Sequence, residues 1–580
     1  MSAFSAPPAF TTRPTLRGSF GMTASAHWLA TASGQAVLER GGNAFDAAAA
    51  AAFVLHVVEP HLNGPGGDLV GLFRTAGGEP TVLMGQGPAP AGASVASYRA
   101  LGLELVPGAG ALAAAIPGAV DAWLLLLRDH GTWELEDVLH FAIGYARDGH
   151  PVLERVAATI ERVSGLFVDH WPSSAELWMP ARRAPRGGEV ITNRRLARTF
   201  ERLAAAAGDS RELRIDAARA LWREGFVAEQ IADFVRTPHR HDDGGEYAGV
   251  LTAEDLAGWQ ARYEQPVSRE FRGHTIHKAG PWSQGPALLQ MLGMLDSFDD
   301  LDPSSELGAH TILEVEKLAL ADRDSYFGDA DVPLDWLLSP EYLASRRELV
   351  GEDASLEFRP GGDSPFLPPM VAGVAGLGEP TVSKDGVTRG DTCHLDVVDR
   401  WGNVVSVTPS GGWLQSSPAV PELGFALGTR LQMTWLVEGA AASLTPGRRP
   451  RTTLTPTLVT RGTDITALGS PGGDQQDQWQ LLYLLRTIVG GYEPQQAIDA
   501  PALHSTSFPD SFWPRAWEPG GAVVEDRLGD SVIDGLAARG HVITRAGDWS
   551  LGRLSAVGSD ARGLWAAANP RGAQGYAAGR

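Results

Sequence analysis

A nearly continuous apolar run, Ala47 to Val58, is the feature that most constrains the fold of this chain. Asn43, just before it, can cap a helix, and Asp46 lies in the first turn, where free backbone amides favour a carboxylate. A helix that is apolar on every side must be buried. Its small alanine side chains allow close packing on a sheet. The run therefore predicts an α/β (α+β) protein built in layers, with sheets between helical layers.

Composition and charge limit the classes of protein to which this chain can belong. The 580 residues are 43% hydrophobic and 20% charged, as in soluble proteins with a large core. The net charge of -21 argues against nucleic acid and against an anionic membrane surface as partners. Residues 1–17 hold no secretory signal, the 47–58 run is too short to span a bilayer, and the single cysteine excludes an intrachain disulfide. We therefore expect a cytoplasmic protein.

The composition changes abruptly at Thr392. The preceding residues, about 352–391, are rich in Pro, Gly, Ser and charged side chains, and they are expected to form a flexible linker. Apolar residues on both sides of a turn at 400–403 then predict a buried hairpin. A small hydroxyl residue between a linker and a buried hairpin is a candidate for self-processing.

We predict that the chain is cut between Asp391 and Thr392, into a large segment, 1–391, and a small catalytic segment, 392–580, which together form one compact domain. Attack of the Thr392 hydroxyl on the Asp391 carbonyl gives an ester, which water hydrolyses. The new α-amino group, with an ordinary pKa of about 7.7–8.0, can then serve as the base that a threonine nucleophile requires. This chemistry needs no cofactor and no metal, and we expect neither.

Acyl transfer also requires an oxyanion site, and Gly472 and Gly473 offer adjacent backbone amides beside a helix start. An ordinary turn is the open alternative on composition alone. Cys393 is a rival nucleophile, but the next residue of a strand points to the opposite face, so inert packing is favoured. His394 is either a base or orienting group or a structural histidine.

Two further stretches have alternative interpretations. The Gly-rich loop 60–68 lacks a phosphate-binding motif, so a structural turn is favoured over a phosphate cradle. The His- and Asp-rich cluster 239–246 could ligate a metal, but it lies among Gly and Pro, so a solvated loop is favoured. Residues 109–117 are expected to be strand-like, and 152–250 to be rich in helices.

These features together resemble the gamma-glutamyltranspeptidase family of N-terminal nucleophile hydrolases. The resemblance covers nearly the whole chain and includes the segments 41–48, 58–61, 116–118, 251–256, 317–323, 391–394, 397–399, 402–403, 452–453 and 469–473. It implies a four-layer αββα sandwich, autocleavage at Thr392 and an oxyanion hole at Gly472 and Gly473. It also implies that Ser410 is a supporting hydroxyl that hydrogen-bonds the nucleophile.

The departures from this family concern the substrate. Members that use glutathione hold the α-carboxylate with an arginine, whereas the corresponding segment here begins at Gln86. The family's asparagine and aspartate contacts to the amino group correspond to Gly412 and to Thr434-Trp435. Each charged end of an amino acid needs an opposite charge when buried. The resemblance therefore implies an acyl donor that is not a typical γ-glutamyl compound.

The resemblance also implies a substrate pocket, with these residues: Gln432, Thr452, Thr453, Gln86 and Trp435. One of the arginines 448, 449 and 451 could supply a new carboxylate contact, or these arginines could form a solvated basic turn. Trp413 and Trp435 suggest an apolar pocket, although tryptophans are also common in cores.

The sequence thus favours an autoprocessing amidohydrolase or acyltransferase that cleaves an acyl amide through an acyl-enzyme. Three alternatives stay open: a true γ-glutamyl hydrolase or transpeptidase (glutathione hydrolase) with an altered site, a C–C bond hydrolase of a natural-product pathway, and an unprocessed binding protein. The expected partners are a small acyl amide or peptide-like substrate and the two fragments of the precursor. A homodimer of processed heterodimers is left open.

Overall fold

The computed structural model describes residues 4–241, 244–363, 365–372, 392–573 and 575–580. The strands, numbered along the chain, are β1 Leu16–Gly18, β2 Gly21–Ser25, β3 Asp68–Arg74, β4 Thr81–Gly85, β5 His150–Pro151, β6 Val190–Ile191, β7 His239–Arg240, β8 Glu246–Tyr247, β9 Arg262–Glu264, β10 Val267–Phe271, β11 His274–Lys278, β12 Val371–Ala372, β13 Leu395–Asp399, β14 Val404–Ser410, β15 Thr457–Arg461, β16 Asp464–Gly469, β17 Leu503–Ser505, β18 Ala516–Trp517, β19 Gly521–Val524, β20 Val542–Arg545, β21 Ser555–Asp560, β22 Gly563–Ala568 and β23 Tyr576–Gly579.

The α-helices are α1 Trp28–Glu39, α2 Ala44–Val58, α3 Val95–Ala100, α4 Ala119–His130, α5 Leu135–Asp148, α6 Glu154–Arg162, α7 Ser164–Asp169, α8 Pro172–Trp178, α9 Arg194–Ala204, α10 Arg211–Arg223, α11 Phe226–Val235, α12 Ala253–Ala257, α13 Gly285–Leu295, α14 Glu306–Tyr326, α15 Leu334–Leu337, α16 Pro340–Arg347, α17 Gln476–Leu484, α18 Pro494–Asp499 and α19 Asp530–Ala538. Residues 152–250 are rich in helices, as predicted.

Two seven-stranded antiparallel sheets form the centre of the part of the chain that the structure describes. The first sheet has the order β23-β2-β13-β14-β3-β4-β9, and the second has the order β1-β22-β21-β16-β15-β11-β10. Each sheet mixes strands from before residue 372 with strands from after residue 392. In the first sheet, for example, β2 lies between β13 and β23.

Separate clusters of buried side chains mark the interfaces between four layers. One cluster joins α1, α2, α4 and α5 to the outer face of the first sheet. A second lies between the sheets and contains Val398 and Leu458. A third joins the second sheet to α13, α14 and α17. The predicted four-layer αββα sandwich is therefore confirmed.

The central helix α2 forms for the reasons expected from its sequence. All of its residues are buried. The Asn43 side chain accepts hydrogen bonds from the amides of Phe45 and Asp46, and the Asp46 carboxylate accepts one from the Asn43 amide. This reciprocal cap satisfies amides at the helix start that have no partner within the helix.

The hairpin of β13 and β14 is held at its turn by one buried carboxylate. Asp399 accepts hydrogen bonds from the amides of Trp401 and Asn403 at 2.9 and 3.0 Å and from the Asn403 side chain at 2.8 Å. It also accepts one at 2.9 Å from the amide of Ala44, the first residue of α2. The same side chain therefore closes the turn and fixes the hairpin to the central helix.

Two expectations about local structure are wrong. Residues 109–117 form no strand; they contain only a short 3-10 turn at Ala111–Ala113. Their amides bond to loops instead of a neighbouring strand, as Gly110 does with the Ser416 carbonyl. The 239–246 segment is a β7–β8 hairpin and not a solvated loop, because His241 is buried and its ring accepts from the Leu112 amide at 3.1 Å. Residues 242 and 243 lie outside the described residues.

We expect Asp399→Ala to lower the free energy of unfolding by about 3 kcal/mol, because it removes a buried acceptor shared by several amides. Thermal or urea unfolding of the purified protein measures this. Asp464→Ala, at the partly exposed turn of the β15–β16 hairpin, is the matched control and should have a much smaller effect. Equal losses in the two variants would contradict the role of Asp399.

Candidate active site

Thr392 lies just before β13, opposite Ser410 at the end of β14. The two residues form an isolated antiparallel bridge, and the Thr392 hydroxyl donates to the Ser410 hydroxyl at 3.2 Å. Thr392 is 2% exposed. Neighbouring side chains alternate along a strand, so Thr392 faces the second sheet, on the side where Val398 packs. The structure therefore brings the predicted nucleophile and its predicted supporting hydroxyl together between the sheets.

Cys393 faces the helical layer instead. It belongs to the buried cluster around α2, and its sulfur accepts a hydrogen bond from the Asn63 side chain at 3.2 Å. This is the opposite side of the sheet from the Thr392 and Ser410 hydroxyls. The direction predicted from strand alternation is correct, and it separates the thiol from the hydroxyl pair.

His394 is hydrogen-bonded through both ring nitrogens. Nε2 lies 2.9 Å from an Asp396 carboxylate oxygen, and Nδ1 lies 2.9 Å from the Thr408 hydroxyl. Because the carboxylate can only accept, Nε2 donates to Asp396, and Nδ1 bonds to the Thr408 hydroxyl. His394 therefore orients the hairpin beneath Thr392 through fixed partners, and its nitrogens do not bond to the Thr392 hydroxyl.

Gly472 and Gly473 form the turn between β16 and α17. Both have positive φ, 124° and 54°. The Gly473 carbonyl accepts from the Gln284 side chain at 3.2 Å. Arg323 donates to the Gln284 side-chain oxygen at 2.9 Å and also contacts Asp474, the next residue of the turn. Buried side chains thus fix the conformation of the predicted oxyanion segment.

A cluster of buried charges continues from this turn. Arg451 donates to Asp324 at 2.6 Å, and Asp324 also pairs with Arg323. Burial alone would raise the pKa of Asp474, but the charges of Arg323 and Arg451 hold this pKa below its usual value. Burial, reinforced by the neighbouring Asp474 carboxylate, raises the pKa of Asp510 to about 8. This shift favours the protonated form of Asp510.

The predicted substrate residues differ in how fully they are already engaged. Gln432 donates to Gly108 and Thr429 at 3.1 and 2.9 Å and accepts from Trp513 at 3.1 Å. The backbone of Thr452 bonds to Trp282 and Gln284. These contacts hold loops together, and the roles of Gln432 and Thr452 in binding stay predictions.

The other predicted substrate residues are Thr453, Gln86 and Trp435. The Thr453 hydroxyl and the Gln86 side-chain oxygen are buried without a hydrogen-bond partner among the described residues. Trp435 packs on Phe366, and the Arg515 guanidinium lies 3.5 Å from its ring centre. Of this set, Thr453 and Gln86 thus have buried oxygens that a ligand could use.

Sequence reasoning suggested an apolar pocket at Trp413, but it missed the neighbours of that side chain and an ion pair near the hydroxyls. Trp413, Met433 and Phe512 pack together, and a Cβ on Gly473 would lie 3.0 Å from the Phe512 ring. Asp68 and Arg430 form a buried two-bond ion pair at 2.7 Å. A charged residue inside the apolar 423–436 stretch was a signal for Arg430. Its partner is 362 residues away, so spacing could not identify it.

The arginines proposed as carboxylate contacts have different surroundings. Arg451 is buried and pairs with Asp324, so the solvated-turn interpretation is wrong for it. Arg449 pairs with Asp329 and Glu264. Arg448 is exposed and lines a surface cleft of about 740 Å³. This cleft also contains Phe366, which packs on Trp435, but neither Thr392 nor Gly473 lines it.

One group of described residues has ligand atoms close enough for a metal: His310, Glu314 and His541. The two histidines bond to each other through Nδ1 and Nε2 at 2.9 Å. Glu314 is already paired with Lys317 at 2.6 Å and Arg359 at 2.9 Å. The Glu314 carboxylate is thus paired with two cations, and the histidines bond directly to each other. These contacts explain why the three side chains lie close together without a metal ion.

Comparison with known proteins places this geometry in a family. The family model for gamma-glutamyltranspeptidase matches residues 30–579. The chain belongs to the gamma-glutamyltranspeptidase family. Proteins similar to it include some named as glutathione hydrolases, amidohydrolases and acylases, several of them as proenzymes.

Three relatives span nearly the whole chain. A glutathione hydrolase-like proenzyme, YwrD of Bacillus subtilis, is 30% identical over 96% of this chain and 98% of its own length. The solved structure of LmbA2991HD is 56% identical with a TM-score of 0.94, covering 98% of this chain and 100% of that chain. Cephalosporin acylase from Bacillus halodurans is 28% identical with a TM-score of 0.83, covering 100% and 99%.

Two of these relatives are named as a glutathione hydrolase-like proenzyme and a cephalosporin acylase, which agrees with the coarse prediction of an enzyme. Asp391 and about half of the predicted linker, residues 364 and 373–391, lie outside the described residues. None of the described helices has the length and hydropathy needed to cross a bilayer.

The two glycines of the turn should differ in tolerance. A Cβ on Gly472 would lie 2.5 Å from the buried Trp479 ring at a φ of 124°. At Gly473 the φ of 54° lies in the small left-handed region, which costs a non-glycine residue less, and a Cβ would lie 3.0 Å from the Phe512 ring. We expect Gly472→Ala to lower the melting temperature and processing more than Gly473→Ala. Gly462→Ala, at a φ of 59° in open space, is the control for backbone strain alone. Equal effects at 472 and 473 would contradict this.

Asp510→Asn should change the pH dependence of stability. The folded-state pKa, about 8, lies above the ordinary value of 3.8, so the folded chain keeps a proton that the unfolded chain loses. This group therefore lowers the free energy of unfolding progressively as pH rises between these values. We therefore expect the melting temperature of the variant, relative to that of the wild type, to be higher at pH 8 than at pH 5. Asp353→Asn, at an exposed site, should show no such trend.

Proposed function

We propose that this chain is a self-processing amidohydrolase or acyltransferase whose nucleophile is Thr392. The observation that carries the proposal is the buried hydroxyl pair of Thr392 and Ser410, 3.2 Å apart. His394 is committed to Thr408 and Asp396. The α-amino group released by a cut before Thr392 is then the base closest to the hydroxyl.

The proposed processing step is an N→O acyl shift. The Thr392 hydroxyl oxygen attacks the Asp391 carbonyl, the C–N bond breaks, and the proton lost by the oxygen is gained by the departing amine. Water then hydrolyses the ester and gives the Asp391 carboxylate and a free Thr392. The Ser410 hydroxyl, as the acceptor of the Thr392 hydrogen bond, aligns the attacking oxygen.

The proposed reaction repeats this attack on an external acyl amide. The Thr392 oxygen forms an acyl ester, and the α-amine passes the proton to the departing amine. Amides in the turn at Gly472 and Gly473 stabilise the oxyanion, and water or an amine resolves the ester. The contacts of Gln284 and Arg323 support this role, since they hold the turn before substrate binds.

The substrate proposed is an acyl amide without an α-amino group. At position 412 a side chain is excluded, since φ is 65° and a Cβ would lie 2.8 Å from the Gly67 nitrogen. The Thr434 hydroxyl donates to the Leu431 carbonyl at 2.7 Å, and Trp435 stacks on a guanidinium. None of these positions can offer a carboxylate to an ammonium group, and a buried unpaired charge is costly.

Thr392→Ala should abolish the split into residues 1–391 and 392–580, and Thr392→Ser should retain it. Intact mass spectrometry of the purified protein tests this. Cleavage of the alanine variant at the same bond would disprove self-processing by Thr392. A single uncut chain for the wild type would favour a binding protein instead.

The substrate class is tested with two anilides that differ only by the amino group. Glutaryl p-nitroanilide should have a kcat/KM at least about 10-fold above that of γ-glutamyl p-nitroanilide, because positions 412, 434 and 435 offer the ammonium group no carboxylate. The Thr392→Ala variant is the control for turnover by this site. A comparable or higher value for the γ-glutamyl compound would support the glutathione hydrolase alternative.

A further inference from the structure

A cavity of about 300 Å³ lies on the outer face of the second sheet, beside the end of α17. Its lining comes from the strands β1, β11, β15, β16, β21 and β22 and from the helical segment that covers them. Neither Thr392 nor Gly473 lines it. Helix α17 begins just after the turn that contains Gly473, and its nine residues span about 13 Å. The cavity is therefore separate from the proposed active centre, at the opposite end of that helix.

The inner part of the cavity floor is a row of mostly apolar residues on neighbouring strands. Strand pairing places Trp565 opposite Gly558, Gly558 opposite Thr466, and Thr466 opposite Val459. Gly558 has no side chain, and a Cβ there would lie 2.4 Å from the Trp565 ring, so this ring covers the middle of the row. Two residues further along the strands, on the same face, the side chains are charged. The floor is thus mostly apolar inside and charged at the rim.

The opposite wall of the cavity contains a π-helical turn, Leu485–Val489, that follows α17 directly. The Gly490 amide donates to the Leu485 carbonyl, five residues earlier, at 3.0 Å. Leu484 and Ile488 add apolar side chains to the lining. Such turns are rare within helices and occur frequently at functional sites. The turn is therefore a second feature, besides the cavity itself, that indicates binding.

Tyr483 provides a hydrogen-bond donor in this lining. The side chain is 2% exposed, and its hydroxyl bonds to no group among the described residues. Burial, together with the carboxylates of Asp396 and Glu493, raises the pKa of Tyr483, so the hydroxyl keeps its proton. A buried donor without a partner is costly, and a ligand that accepts from it would remove this cost. The same two carboxylates disfavour an anion as the acceptor.

The charges at the rim of the cavity balance one another. Three arginines and three carboxylates line it: Arg17, Arg461 and Arg562, and Asp464, Glu493 and Asp560. Arg17 pairs with Asp560 at 2.8 Å and with Glu493 at 3.1 Å. Burial lowers the pKa of the rim histidine, His274, below its usual value, so the neutral form is favoured. The rim therefore has no net charge that would select an ion.

We infer that this cavity is an accessory binding site for a small uncharged molecule with an apolar body and a carbonyl oxygen. The apolar body packs between Trp565 and the side chains of Leu484 and Ile488, and the carbonyl accepts from the Tyr483 hydroxyl. The volume of about 300 Å³ is at the lower end for ligand sites, which suits a molecule with a single ring. This site is apart from Thr392 and goes beyond the proposed acyl transfer.

The first test compares three probes that differ in one group. Acetophenone has the carbonyl, ethylbenzene lacks it, and benzoate carries a charge; ligand-observed NMR with the full-length wild type gives each Kd. Acetophenone should bind at least about 5-fold more tightly than either of the others, because only it is both uncharged and an acceptor. No saturable binding of acetophenone, or tighter binding of benzoate, would overturn the inference.

The second test removes only the donor. In Tyr483→Phe the Kd of acetophenone should rise about 5-fold, to that of ethylbenzene, while the Kd of ethylbenzene stays unchanged. Tyr145→Phe, at a half-buried position of α5 that does not line the cavity, is the matched control and should bind both probes as the wild type does. An unchanged Kd of acetophenone in Tyr483→Phe would show that the hydroxyl holds no ligand.

The third test locates the probe. Thr466→Trp places a large side chain on the cavity floor and should abolish binding of acetophenone and ethylbenzene. Thr463→Trp, at the exposed turn of the same hairpin, adds the same side chain outside the cavity and should keep binding. A cooperative melting curve shows that each variant is folded. Unchanged binding in a folded Thr466→Trp would place the probe elsewhere and refute the site; if that variant does not fold, the result for Tyr483→Phe decides.

Discussion

The packing of two antiparallel sheets on each other determines where chemistry can occur in this molecule. Along β13 the inward side chains change from Val398, in the apolar cluster, to Asp396, His394 and Thr392. Polar groups inside a sandwich need partners from the protein, because water is excluded. Asp396 is hydrogen-bonded to His394, and His394 to Thr408. The Ser410 hydroxyl accepts a hydrogen bond from the Thr392 hydroxyl. The hydroxyl of Thr392 is therefore positioned by neighbouring side chains rather than by solvent.

The sequence predicted those parts of the fold that depend on local pattern. The apolar run at 47–58 and its cap at Asn43 fixed α2, and the apolar residues around 400–403 fixed the hairpin. Local pattern could not predict partners that are distant in sequence, such as Asp68 and Arg430. Local pattern also wrongly predicted a strand at 109–117. This segment is apolar, but no neighbouring strand provides the hydrogen bonds of a sheet. Thr392 was identified from the change in composition and Ser410 through the family resemblance, and the charges that surround them were not identified.

The buried charges beside Gly473 have a structural consequence. Arg323 and Asp474 are both almost fully buried, and each would be costly to bury alone. Their mutual contact, together with Gln284, fixes the turn before any ligand is present. A prearranged turn avoids the reorganisation that a flexible loop would undergo when negative charge develops on a substrate oxygen. Arg323 and Asp474 can thus both be buried because each provides the other's opposite charge.

The interleaving of strands in both sheets affects how the molecule folds and how it unfolds. Strand β2 lies between β13 and β23, so a cut before Thr392 leaves one piece threaded between parts of the other. Folding of the intact chain is unimolecular, but refolding after a cut would require two molecules to meet, and it would slow as the protein is diluted. Processing would thus make assembly a one-time event, after which the lifetime of the enzyme is set by its rate of unfolding rather than by a reversible equilibrium.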